Sequence, residues 1–94
     1  MKLLAISTDS EGVTWENTFE LLKEEARHVY ELYLSDVLRE IYFTDTGNAV
    51  LILECSNKSQ AQALLDVFPL VKSGMIRFDL TELRPYDGFQ RLME

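Results

Sequence analysis

Five consecutive residues constrain this chain more than any other feature: Ala49-Val50-Leu51-Ile52-Leu53. The run is short, β-branched residues are frequent in it, and turn residues bound it, so it reads as a strand. It is apolar at odd and even positions alike. A strand alternates its side chains between two faces, so both faces of this one need cover. The surrounding pattern supplies cover for only one. Lys2 to Thr8 and Val37 to Asp45 read as further strands, and Met75 to Leu83 as a fourth. In the fourth, Ile76, Phe78 and Leu80 fall on one side and Arg77, Asp79 and Thr81 on the other. Thr46-Gly47 with Asn48 makes a compact hairpin turn between the second and third strands.

Two stretches carry the helical period instead. Trp15, Phe19, Leu22, Ala26, Val29 and Tyr33 recur at three- and four-residue steps, predicting a helix from Trp15 to about Leu34. Thr14 or Asn17 can cap it, and Asn17 has Glu20 three residues on. The second helix opens at Asn57, with Gln60 three residues on, carries Ala61, Leu64, Leu65 and Phe68, and stops before Pro69. Leu70 to Gly74 reads as a loop. The order is β-α-β-β-α-β: an α+β, ferredoxin-like arrangement with a four-stranded antiparallel sheet. Two helices cover one sheet face, so a second copy laid sheet against sheet is the simplest cover for the other. A single domain over residues 1–94 is expected, with 84–94 as a tail carrying Tyr86 and Phe89 beyond the last strand.

Composition narrows the function classes. Sixteen acidic and nine basic residues give a net charge of −7. That balance argues against nucleic acid and anionic membranes as partners. One cysteine and one histidine cannot form an internal disulfide or a usual zinc site. The apolar start at Leu3 to Ile6 is too short for a secretory core, so a cytoplasmic location is expected. Neither a phosphate loop nor a dinucleotide fingerprint occurs, and no cofactor is expected.

Leu21-Leu22-Lys23-Glu24-Glu25 on the first helix, Arg39 on the second strand, and Leu64-Leu65-Asp66-Val67-Phe68-Pro69-Leu70 together resemble the muconolactone isomerase family. The match runs from about Leu3 to Pro85. Where that family has a histidine- and tryptophan-rich second strand, this chain has Arg39-Glu40-Ile41-Tyr42-Phe43. The resemblance implies a dimeric α/β barrel and proton-transferring isomerase chemistry on a small organic acid.

The candidate site residues follow from their own chemistry. Glu25 and His28 lie one helical turn apart beside Leu21 and Leu32. Desolvation there would raise the carboxyl pKa and suit it to proton transfer; the other reading is a solvated flank with Glu25 paired to Lys or Arg. Arg39, taken by alternation to share a face with Ile41 and Phe43, reads either as a bidentate anchor for a carboxylate or as a salt-bridge partner of Glu25, Glu54 or an acid of a second subunit. Tyr42, Phe68 and Leu70 are candidate substrate contacts, and Tyr30 and Tyr33 offer further phenols. Cys55 reads as a packed thiol. The competing functions are a non-catalytic ligand-binding or assembly module and a cofactor-free monooxygenase of the same fold.

Overall fold

The computed structural model describes residues 1–94 and contains a four-stranded antiparallel sheet with helices on one face. In chain order these are β1 (Lys2–Asp9), α1 (Phe19–Leu34), β2 (Leu38–Phe43), β3 (Ala49–Glu54), α2 (Lys58–Asp66), α3 (Pro69–Lys72) and β4 (Ile76–Leu83), followed by a terminal 3-10 helix (Gly88–Met93). The sheet order is β2-β3-β1-β4. The chain thus has the β-α-β-β-α-β order that hydrophobic periodicity predicts.

Register fixes which residues meet the helices. Leu3 pairs with Leu53, and Ala5 with Leu51 and Leu80. These positions face the helices and are buried or half-buried, together with Phe78 and Ile76. Leu3, Leu38, Leu51, Leu53, Leu65 and Phe68 are sealed from solvent. Each such side chain contributes about 1.5–3 kcal/mol of burial free energy. The opposite face carries Leu4, Ile6, Val50, Ile52 and Tyr42, flanked by Arg77 and Asp79. No part of the chain packs over this apolar row, and Ile6 and Tyr42 are exposed.

Four details differ from the sequence expectation, each for a local reason. The first helix begins at Phe19, because Asn17 takes a left-handed backbone (φ 55°) that interrupts a helix. Trp15 therefore sits in the preceding turn. Second, Thr18 rather than Thr14 or Asn17 occupies the cap position, without a side-chain cap bond. The helix ends at Leu34 as expected, followed by a left-handed Asp36 (φ 65°). There the Val37 N–H donates to the Leu32 carbonyl (3.1 Å) and the Asp36 N–H to the Tyr33 carbonyl (3.2 Å), a Schellman closure. Third, Pro69 starts a helical turn as well as ending α2, since a proline at the first helical position loses no hydrogen bond. The Asn57 cap forms as expected, its Oδ1 accepting the Gln60 N–H at 2.8 Å.

The fourth difference matters most. The pairing of β2 with β3 shifts register between Leu38 and Glu40, a β-bulge at Arg39. The extra residue brings Leu38 onto the helix-facing side with Ile41 and Phe43. It removes Arg39 from that face, so Arg39 is exposed, its Nε–H donating to the Asp36 carbonyl at 2.7 Å.

Beyond β4 the chain leaves the body. Tyr86, Phe89, Leu92 and Met93 are 70%, 70%, 80% and 89% exposed. The molecule measures 59 × 27 × 20 Å, and its radius of gyration is 15.5 Å. A compact chain of this length has about 12 Å, so residues 84–94 form an arm rather than a packed cap.

Candidate functional site

Between α1 and the helix-facing side of the sheet lies a cavity of about 600 Å³. That volume is in the range of small-molecule sites, roughly 300–1,000 Å³. Fourteen of its eighteen lining residues are hydrophobic. The helix contributes Leu22, Glu25, Val29, Tyr30 and Tyr33. The sheet contributes Ser7, Asp9, Leu38, Ile41 and Leu51, while Phe68 and Leu70 close the end near α3. Apart from Ser7, Asp9, Glu25 and Gly47 the wall is carbon-rich or aromatic.

Glu25 is the half-buried carboxylate of this wall. Its Oε1 accepts the Leu70 N–H at 3.0 Å, and no cation pairs with it. Pro69 explains this contact: α3 starts there, so the Leu70 N–H lies in a first turn and has no partner within that helix. Burial pushes the Glu25 pKa above the ordinary glutamate value, and the Leu70 hydrogen bond only partly offsets it. In an apolar wall the neutral form is favoured, which brings proton uptake and release closer to neutral pH.

That shift has a signed consequence. A folded-state pKa above the unfolded value means the folded chain binds more protons in the window between the two. Stability then falls as pH rises through that window, and the loss is complete above the folded pKa. Glu25→Gln keeps an acceptor for Leu70 but cannot titrate. Its melting temperature is expected to decline less with pH than that of the wild-type chain over the range starting at the ordinary glutamate pKa. Parallel melting curves for both proteins would show that Glu25 is not the titrating group.

The other residues singled out by sequence are dispersed. Phe68 and Leu70 line the cavity with Glu25. His28 does not; it packs edge-on against Phe68 at 4.7 Å between ring centroids, with Nε2 buried and unpartnered. Arg39 is outside the cavity, on the exposed bulge. Glu25 and Arg39 therefore share neither a cleft nor a salt bridge. Tyr42 is on the opposite sheet face, its O–H donating to Glu40 Oε1 at 2.7 Å. Cys55 is buried, which pushes its thiol pKa up. No group of three or more His, Cys, Asp and Glu is placed to hold a metal ion. No helix is long and apolar enough to cross a membrane.

Three lining residues that bring polar atoms are not among the candidates from sequence. Trp15 is at the rim, its Nε1–H donating to Asp9 Oδ2 at 3.3 Å. Asp9 closes β1 and reads as part of a turn. Ser7, 4% exposed, is the buried polar residue of the layer. Its Oγ accepts the Ala49 N–H at 2.7 Å, and its carbonyl accepts from Asn48 Nδ2 at 2.9 Å. The side chain continues the β1–β3 ladder just past its last paired residues, Ile6 and Val50. A period-2 signal would have placed Ser7 on the inner face, but nothing in sequence marks its bond to Ala49.

No family model matches the sequence, and no curated protein matches it. Among solved structures the chain is similar to 5-chloro-2-hydroxyhydroquinone dehydrochlorinase from Burkholderia phenoliruptrix AC1100, in complex with 2,5-dihydroxybenzoquinone. The TM-score is 0.66 and the identity 16%, over 94% of this chain and 98% of that one. The likeness is one of fold.

Proposed function

We propose that this chain is a small-molecule enzyme whose α1–sheet cavity is the active site, with Glu25 as its proton carrier. The single observation that carries this reading is a half-buried carboxylate in an apolar cavity, held by one backbone N–H and no cation. One carboxylate oxygen is thereby positioned, and the other is left for a substrate. A base in such surroundings takes a proton from carbon next to a carbonyl and returns it at another position, the work of an isomerase. The fold neighbour, a dehydrochlorinase bound to a dihydroxybenzoquinone, supports the view that this architecture suits compact oxygenated substrates. The acid substrate expected from the sequence lacks its anchor, because Arg39 is elsewhere.

The test is hydrogen exchange into a panel of small ketones and lactones in deuterium oxide, followed by NMR. Wild-type protein is expected to exchange the carbon-bound proton at least about 100-fold faster than Glu25→Gln, the usual scale for a general base. Equal rates in the two proteins would remove Glu25 from the chemistry.

The same reading includes a homodimer formed sheet to sheet. The uncovered row of Leu4, Ile6, Val50 and Ile52 favours a second copy as occupant, since Arg77 and Asp79 of opposite charge stand on that face. In a two-fold contact each subunit's arginine can meet the other's aspartate, so the face is self-complementary. The arm from Tyr86 onward gives that copy additional apolar surface to hold.

A further inference from the structure

Building on the reading of the cavity as the active site, we propose that it selects uncharged ring compounds bearing a carbonyl oxygen, and that Ser7 Oγ–H is the donor that fixes this oxygen. Two independent observations support this.

The first is charge. The cavity wall contains two carboxylates, Asp9 and Glu25, and no lysine, arginine or histidine. The basic residues closest in the chain are elsewhere: Lys23 and Arg27 are exposed and outside the wall, and Arg39 is bonded to the Asp36 carbonyl. A bound anion would face these carboxylates with no cation in the wall to neutralise it. A neutral ligand meets no such opposition. Trp15, Tyr30 and Phe68 offer it ring faces and edges.

The second is an unused donor. Ser7 is 4% exposed, and its Oγ already accepts the Ala49 N–H at 2.7 Å. A hydroxyl has one proton to give, and the Ser7 proton has no acceptor in the protein. Buried donors are nearly always satisfied, so an unsatisfied one facing a cavity marks where an acceptor belongs. A ligand carbonyl is such an acceptor. The carboxylates complement it, because they accept from an N–H or O–H on the same ligand. The pattern is one donor and two acceptors around a hydrophobic slot.

The experiment uses the intact chain and benzamide against benzoate, which differ in charge but little in shape. Trp15 is the sole tryptophan and lines the cavity, so its fluorescence reports occupancy directly. At pH 7 benzamide is expected to bind at least about tenfold tighter than benzoate, a modest difference for an unopposed like charge. Glu25→Gln is expected to narrow that ratio by strengthening benzoate. Ser7→Ala is expected to weaken benzamide while the Trp15 signal at saturation persists. Because Ser7 also supports the ladder, the wild-type protein supplies a second readout: the Ala49 amide, bonded to Ser7 Oγ, should shift in the NMR spectrum when benzamide is added. A Trp15 signal blind to both probes would overturn the active-site reading itself. Benzoate binding as well as benzamide would leave the site in place and overturn charge selection. An unmoved Ala49 amide, or benzamide affinity unchanged in Ser7→Ala, would overturn the role of Ser7.

Discussion

Phe68→Ala is expected to destabilise the fold by about 3–5 kcal/mol, the usual range for deleting a buried aromatic ring. Phe68 is 1% exposed. Its ring stands edge-on to His28 at 4.7 Å and to Phe78 at 5.3 Å, tying α1 and β4 to the start of α3. It also walls the cavity, so the void left by truncation joins an existing space and cannot close by small shifts. For a domain of this size each kcal/mol moves the melting temperature by roughly 4–8 °C, so a fall of more than about 10 °C is expected. Thermal and urea unfolding at matched protein concentration measure this; a shift of a few degrees would mean that Phe68 is not the keystone of the core.

Ile52→Glu has the largest expected effect on assembly. Ile52 is on the uncovered sheet face, opposite Leu4 on one side and Glu40 on the other. In the isolated chain that face meets water, so the subunit fold should survive the substitution. In a sheet-to-sheet dimer the new carboxylate would be buried without a cation, next to Glu40. Burying unpaired charge is opposed by several kcal/mol, so dimer affinity should drop by at least about 100-fold. Sedimentation velocity is expected to show a dimer for the wild-type chain and a folded monomer for Ile52→Glu. A wild-type chain that sediments as a monomer would rule out the dimer and leave the cavity untouched.

Much of the architecture was legible because alternation and helical period are properties of single segments. Ile76, Phe78 and Leu80 announce an inward face without reference to the rest of the chain, and Pro69 announces a break. The errors fall where one residue alters the phase. Trp15 fits the stripe of α1 but is separated from it by the left-handed Asn17. Arg39 alternates correctly with Ile41 and Phe43 until the bulge inserts it between Leu38 and Glu40, and no residue type there signals the insertion.

The site was legible in part for a related reason. Glu25, Phe68 and Leu70 meet, since the flank of the helix stripe and the segment around Pro69 both border the cavity. The partner of Glu25 was missed because it is a backbone amide. An inventory of side-chain charges suggests lysine or arginine, whereas here the carboxylate takes the free N–H of a proline-started helix. Ser7 was missed because its significance depends on the β1–β3 register, which only the folded sheet creates.

The proposed chemistry depends on a carboxylate set in an apolar cavity where it can carry a proton to and from a small molecule. Carbon-detected NMR titration of the Glu25 side chain in the folded protein, alone and with benzamide, tests this most directly. The expected result is a midpoint above the ordinary glutamate value that moves when the ligand is present. A midpoint at or below that value, undisturbed by benzamide, would contradict it.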